Sequence, residues 1–334
     1  MATAPTAGES SALESDARIY VAGHTGLAGS AILRAVERAG YSNLALRRHA
    51  ELDLIDARAV AAFFERERPE YVFLAAAKVG GILANDRYPA DFIRENLAVQ
   101  LNVIHEAWRA GVKRLLFLGS SCIYPRDCAQ PIKEEYLLGG PLEPTNRAYA
   151  LAKIAGIELC WSYNRQHGAR FLAAMPANLY GPCDRYDLQA SHVLPALIRK
   201  VHEAKQGGAR QVTLWGSGLP RREFLASDDM AEACVLLMRL PEPEFGRLVA
   251  SSQAPLINIG AGADQSVAEL AGLVAEVLEY RGQFVRDASK PDGAPRKLLD
   301  SSRITALGWR PRVGLREGIA LAYEDFLRRS VGAA

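Results

Sequence analysis

Cysteine is scarce and badly placed for pairing. The five residues Cys122, Cys128, Cys160, Cys183 and Cys234 are odd in number, scattered, and include no C-x-x-C pair. That pattern gives neither a zinc knuckle nor a disulfide framework, so no metal is expected and a reduced, cytoplasmic setting fits. Charge of one sign is also missing: 40 Lys and Arg against 38 Asp and Glu leave a formal net charge of +2. Nucleic acid and membrane partners therefore have no bulk electrostatic basis, and any anion must be held by local arginines and backbone amides. No apolar stretch is long enough to span a bilayer. The first seventeen residues carry Glu9, Glu14 and Asp16 and lack both the apolar core of a secretory signal and the acid-poor character of a transit peptide. They read as a disordered tail.

What is present is globular. The chain has 334 residues, 49% of them hydrophobic. That length favours a large cofactor domain with a smaller partner. From Arg18 short apolar runs alternate with amphipathic stretches. Strands are expected at Arg18 to Ala22, Asn43 to Arg47, Tyr71 to Ala75, Arg114 to Gly119 and Arg170 to Met175. Helices are expected at Leu27 to Ala39, Ala57 to Glu67, Pro89 to Ala110 and Tyr149 to Gln166. Such alternation means a parallel sheet covered on both faces. After Pro176, the prolines 182, 195 and 220 and several paired glycines read as loops and short elements. Helical periodicity returns in Ala231 to Met238, Val267 to Leu278 and Leu315 to Leu327.

Gly23-His24-Thr25-Gly26-Leu27-Ala28-Gly29 follows the first strand and opens the first helix. A dinucleotide pyrophosphate needs a tight turn, close backbone approach and free amides at a helix start, and glycines in this setting supply all three. The fold is therefore α/β: a Rossmann-type doubly wound parallel sheet with a smaller mixed α/β substrate-binding domain. Residues 18–177 and about 224–256 are assigned to the first, 178–223 and about 257–330 to the second. The second strand ends in Arg47-Arg48, where NAD-binding versions carry an acidic residue about 20 residues beyond the glycines. Two guanidinium groups suit a 2′-phosphate, so NADP(H) is the expected cofactor. Asp53 and Leu54 are placed to hydrogen-bond and pack the adenine.

Tyr149-Ala-Leu-Ala-Lys153 sets a phenol and an ammonium one helical turn apart. The positive charge is expected to lower the phenol's pKa, letting Tyr149 exchange a proton with a carbonyl oxygen during hydride transfer. Ser120, at the end of the preceding strand, offers a hydroxyl to the same oxygen, and strand carboxyl ends are where ligands sit in parallel sheets.

Together these motifs resemble the extended short-chain dehydrogenase/reductases, in their sugar-nucleotide branch. The strings LAAAKVGGI (from Leu74), GSSCIYP (from Gly119), PANLYGP (from Pro176), WGSG (from Trp215) and Arg222-Glu223-Phe224-Leu225 narrow the resemblance to the GDP-L-fucose synthase family. The likeness covers nearly the whole chain from Arg18. It implies 3,5-epimerisation of GDP-4-keto-6-deoxy-D-mannose followed by NADPH-dependent reduction at C4, in a homodimer formed through the helices at 89–110 and 149–166. It gives Ser120, Tyr149 and Lys153 the reductase roles, and Cys122 and His192 the roles of base and acid in epimerisation. It places NADP on Gly23 to Gly29, on Leu74, Ala75, Ala76 and Ala77, on Asn96 and Lys153, on Pro176, Ala177, Asn178 and Leu179, and on His192. It places the substrate near Lys200, Trp215, Arg222 and Asp292. Two departures touch the phosphate contacts: His49 and Thr25 stand where some members carry arginine.

The chemistry has its own logic. A ketone at C4 acidifies the hydrogens on C3 and C5, and inverting either carbon requires taking a proton from one face and returning one to the other. A thiol and an imidazole are suited to that exchange. Cys122 lies two residues past Ser120 and so reaches the same sugar. Trp215 reads equally as core packing or as a stacking face, and Arg222 as a fork for a diphosphate. The competing readings are a sugar-nucleotide 4-epimerase or 4,6-dehydratase with tightly held NAD, and a non-catalytic dinucleotide-binding scaffold. Arg47-Arg48 and Cys122 argue against the first, and the complete Ser120, Tyr149 and Lys153 set against the second.

Overall fold

The computed structural model describes residues 13–188, 191–250, 252–290 and 292–331. The first half runs β1 (Ile19–Ala22), α1 (Leu27–Arg38), β2 (Leu44–Ala45), α2 (Ala57–Glu67), β3 (Tyr71–Leu74), α3 (Ile82–Arg87), α4 (Pro89–Arg109), β4 (Arg114–Leu118), α5 (Arg147–His167) and β5 (Phe171–Pro176). Then follow β6 (Asn178–Tyr180), α6 (Val193–Gln206), β7 (Gln211–Trp215), β8 (Arg221–Ala226), α7 (Ser227–Arg239), α8 (Glu242–Val249) and β9 (Leu256–Ile259). The chain closes with β10 (Asp264–Ser266), α9 (Val267–Val277), β11 (Gln283–Asp287), β12 (Arg296–Lys297), α10 (Ser302–Ala306) and α11 (Leu315–Val331).

The central sheet has the order β2-β1-β3-β4-β5-β9, and every pairing in it is parallel. β1, β3, β4 and β5 are buried throughout, as continuous apolar strands covered on both faces must be. The chain leaves β1 in one direction to β2 and returns on the other side to β3, which opens a crevice at the carboxyl ends of β1 and β3. Gly23 adopts φ +83° there, and a Cβ on it would lie 2.8 Å from Ala76, so the ends of the two strands approach as only glycine permits. Gly156 does the same for α5: a side chain at that position would enter the Phe117 ring of β4. That close seat brings Tyr149 and Lys153 to the sheet's carboxyl end.

The second unit has a four-stranded sheet of β6, β8, β10 and β12, a β7–β11 pair, and α6, α9 and α11 around a core that includes Leu197, Val201, Leu214, Phe224, Val274 and Ile319. The loops and short elements expected after Pro176 give way here to the 14-residue helix α6. Pro195 lies in its first turn, where the missing N–H has no intrahelical acceptor to lose. β9 straddles the expected boundary at 256, and Leu299, Ile304 and Trp309 return to the first core rather than staying in the second. Trp309 is fastened there by its Nε1 donating to the Asp229 carbonyl, while the Asp229 carboxylate accepts from the amides of Arg312 and Val313.

The expected tail is corrected for residues 13–17. Leu13 and Ala17 are buried in the first core, the Tyr41 hydroxyl donates to the Leu13 carbonyl, and Lys113 pairs with Glu14. One apolar anchor and its hydrogen bond outweigh the polar character of the segment. Residues 1–12 lie outside the described residues. Among the described residues no helix is long and apolar enough to cross a membrane.

Candidate active site

A cavity of about 1420 Å³ runs from the β1–β3 crevice to the second unit. Its first wall is the glycine turn. Gly23, Thr25, Gly26, Leu27, Ala28 and Gly29 line it. A side chain on Gly29 would collide with the Gly23 carbonyl, so that glycine is required by the turn itself. Gly26 differs, because a Cβ there would meet only the Gly23 oxygen at 3.6 Å, an ordinary contact. The fold does not demand glycine at 26, and the space beside it opens to the cavity. α1 begins with no side-chain cap and no acidic residue in its first turn, which leaves its amides for an anion. A pyrophosphate fits this cradle.

Arg47 and Asp53 also line the cavity, with Leu54, His49, Ala75, Ala76 and Ala77. The Arg47 guanidinium is steered by Glu67 at 2.6 Å and lies 5.8 Å from the Phe63 ring centroid. It is a preset cation at the end of β2. Four predicted cofactor residues are not on the cavity wall: His24, Arg48, Leu74 and Asn96. Leu74 is core. Arg48 carries the turn that follows β2, its amide donating to the Glu51 carboxylate at 2.6 Å. His24 is turned inward, and burial, then the nearby Arg48 charge, lower its pKa despite Glu51. Asn96 spends its amide on the chain, accepting from the Lys78 amide and donating to the carbonyls of Lys78 and Phe92. It shapes the Ala75–Lys78 segment from behind.

The candidate reacting centre lies where β4 ends. Ser120 caps a short 3-10 turn, its hydroxyl accepting from the Cys122 amide at 3.3 Å. Tyr149 and Lys153 reach the same place from α5, and Phe92 meets the Tyr149 ring edge-on. The expected lowering of the Tyr149 pKa is corrected: burial, and then the neighbouring Cys122, raise it, with a hydrogen bond to Ser120 acting the other way. Lys153 offers little to offset this. Burial pushes its ammonium down to about 7, so it is a weak source of positive charge, and its Nζ donates to the Leu118 carbonyl.

Cys122 is the centre's other titratable group. Its sulfur accepts from Asn146 Nδ2 at 3.2 Å and from Lys297 Nζ at 3.5 Å. Burial raises the thiol's pKa, but Lys297, Ser120 and Arg222 outweigh it and the net shift is downward. His192 is the N-cap residue of α6 and lines the cavity. Burial lowers its pKa, which leaves the imidazole neutral near pH 7.

The far wall is cationic. Lys200 and Lys290 stand 4.5 and 5.5 Å from the Trp215 ring centroid. Trp215 is 37% exposed, which removes the core-packing reading. Arg222 is held by the Arg221 and Asp292 carbonyls and makes no ion pair among the described residues. A half-buried guanidinium without a carboxylate is suited to receive an anion. Asp292 accepts from the Ser217 amide at 2.8 Å and so holds the WGSG turn in place. Pro176, Ala177, Asn178 and Leu179 form the floor between the two walls. Among the described residues no cluster of His, Cys, Asp or Glu is set to hold a metal ion. Sequence reasoning missed Asn146, Lys290 and Lys297, each distant in the chain from the residue it serves.

A dinucleotide cradle joined to a Ser/Tyr/Lys centre and a cationic far wall defines an oxidoreductase of the extended short-chain type, and the NAD dependent epimerase/dehydratase family matches residues 19–249. Within it the chain belongs to the GDP-L-fucose synthase family. It is 53% identical over 319 residues to GDP-L-fucose synthase 1 of Arabidopsis thaliana, with 96% of each chain covered. It is 52% identical over 312 residues to the GDP-L-fucose synthase of Escherichia coli strain K12, covering 93% of this chain and 96% of that one. A solved GDP-mannoheptose C4 reductase from Campylobacter jejuni with NADP bound superposes with a TM-score of 0.84 at 40% identity, covering 94% and 99%.

Proposed function

We propose that the protein converts GDP-4-keto-6-deoxy-D-mannose to GDP-L-fucose, inverting C3 and C5 and then reducing C4, with NADP(H) as cofactor. The observation that carries the reading is the convergence of a thiol, Cys122, bonded by Asn146 and Lys297, with Ser120 and Tyr149 on one cavity wall. A simple reductase needs the two hydroxyls; the thiol is what proton exchange beside a ketone adds.

The glycine turn and the α1 amides would hold the pyrophosphate, Arg47 would take the 2′-phosphate, and Arg222 with Lys200 and Lys290 would hold the sugar-nucleotide diphosphate beside Trp215. When bound, NADPH supplies the hydride. The Cys122 thiolate takes the proton from the carbon beside the ketone, and the C–H electron pair passes into an enolate whose O4 accepts hydrogen bonds from Ser120 and Tyr149. His192 returns a proton to the opposite face; the substrate's diphosphate charge supports the protonated imidazole that burial disfavours. Tyr149 then gives its proton to O4 during reduction, and its high pKa keeps it protonated for that role. The protein acts as a cytoplasmic homodimer built on α4 and α5, a reading supported by Leu101 and Leu151, left exposed on those helices, and by cysteines that are all free.

Incubation with GDP-4-keto-6-deoxy-D-mannose and NADPH, with the sugar identified by NMR, tests this. GDP-L-fucose is the expected product. A product reduced at C4 with C3 and C5 unchanged would reduce the protein to a C4 reductase.

A further inference from the structure

We infer that Lys297, with Asn146, holds the Cys122 side chain as a thiolate, and so is the positioning residue that makes it a base at neutral pH. The inference rests on the epimerase reading above for its purpose, but not for its geometry.

Lys297 is half-buried and forms no ion pair with a carboxylate among the described residues; its hydrogen-bond acceptor is the Cys122 sulfur. An ammonium withdrawn from water and left without a carboxylate needs an anion, and a thiolate is the anion within reach. Asn146 donates to the same sulfur from the turn preceding α5, so two donors converge on one acceptor. A neutral thiol is a weak acceptor, whereas a thiolate uses both.

The placement is built into the fold. β12 pairs with β8 in parallel register, with Lys297 opposite Arg222. One residue on, the Leu298 amide donates to Gln130 Oε1 and its carbonyl accepts from the Ile132 amide, which ties the strand to the loop that follows Cys122. The Leu299 amide donates to the buried carboxyl of Glu223 at 2.9 Å. The strand carrying Lys297 is thereby stitched to both walls of the cavity. The charged and titratable groups around the sulfur are Lys297 from β12, Arg222 from β8, and Tyr149 from α5. The first two are cations and favour the thiolate. The phenol stays neutral at pH 7, and Ser120 adds a hydrogen bond.

The test is the pH dependence of Cys122 alkylation by iodoacetamide in the full-length protein, read by mass spectrometry on the peptide that contains it. Cys160 and Cys234, both buried, serve as internal controls. Wild-type Cys122 is expected to titrate below an ordinary thiol. Lys297→Met is expected to raise the midpoint by about one unit or more, a roughly tenfold loss of thiolate at neutral pH. Lys297→Arg keeps the charge and is expected to stay near wild type. An ordinary midpoint in the wild type overturns the inference without any variant. A Lys297→Met profile that superimposes on wild type, or an Arg variant displaced as far as Met, also overturns it. None of these readouts involves turnover, so they are separate from failure of the epimerase reading, which would show as normal proton exchange in Cys122→Ser.

Discussion

The Lys153 ammonium donates to the Leu118 carbonyl at 2.8 Å, fastening the last residue of β4 to the second turn of α5. The bond fixes the spacing between the strand end that carries Ser120 and the helix that carries Tyr149. Its cost is a buried ammonium whose pKa falls to about 7. In the unfolded chain the same group titrates near 10.4. Between those values the unfolded state binds more protons than the folded state, so stability rises with pH across that window. Lys153→Met removes the penalty. The variant's melting temperature without ligand, relative to wild type, is expected to be highest near pH 6.5 and to decline as pH climbs toward 10. A difference that does not change with pH would mean that Lys153 is not depressed.

The glycine turn gives a prediction that separates folding from binding. Gly26→Ala has room on the protein side, so its melting temperature without ligand is expected to match wild type. Its Cβ occupies the cradle instead, and NADPH affinity is expected to fall at least about tenfold, or roughly 1.4 kcal/mol. Gly29→Ala drives its Cβ into the Gly23 carbonyl and is expected to lose both stability and binding. Thermal melts and fluorescence titration on the two variants check this. Equal melting losses in both would return Gly26 to a purely structural role.

Cofactor choice is expected to rest on Arg47 far more than on Arg48. Arg47 faces the cavity and is steered by Glu67, while Arg48 is not on the cavity wall. A charged hydrogen bond to phosphate contributes about 1.5–3 kcal/mol, so Arg47→Ala should weaken NADPH by that amount and leave NADH nearly unchanged. Arg48→Ala should alter neither by much. Dissociation constants for both cofactors decide it. An Arg47→Ala variant with an unaltered NADPH-to-NADH ratio would remove this arginine from the phosphate site.

What could be read from the sequence was local in the chain. Gly23 to Gly29, Ser120 with Cys122, and Tyr149 with Lys153 are each close enough along the chain for spacing alone to imply a shared site. The contacts that tune them are not local. Lys297 reaches Cys122 from 175 residues away through the β8–β12 register. No periodicity reports that pairing. The lowered pKa expected for Tyr149 counted the lysine's charge but not the burial that removes much of it. α6 was hidden by Pro195, and the anchoring of Leu13 by the polar residues around it. Asn96, expected at the cofactor, lies off the cavity wall with its amide bonded to the backbone of Lys78 and Phe92.

The two half-reactions are expected to come apart by mutation. In the proposed mechanism Cys122 and His192 move protons at C3 and C5, and Tyr149 serves C4. Cys122→Ser keeps the size but replaces a thiol whose pKa is lowered by Lys297 with a hydroxyl that stays protonated at any working pH. It is expected to stop washing solvent deuterium into the sugar ring, while slow reduction of the unepimerised ketone continues. Tyr149→Phe leaves a ring to pack against Phe92 and removes the proton donor for O4. Net reduction is expected to fall about two orders of magnitude or more. NADPH binding persists, and deuterium exchange continues at a lower rate because one hydrogen bond to the enolate oxygen is gone. His192→Asn is expected to permit deprotonation but hinder reprotonation, giving a partly epimerised product. Mass spectrometry and NMR of sugars recovered from deuterated water compare all three. Full exchange at both carbons in Cys122→Ser would take the base role from this cysteine, and near-normal turnover in Tyr149→Phe would move the reduction chemistry to another residue.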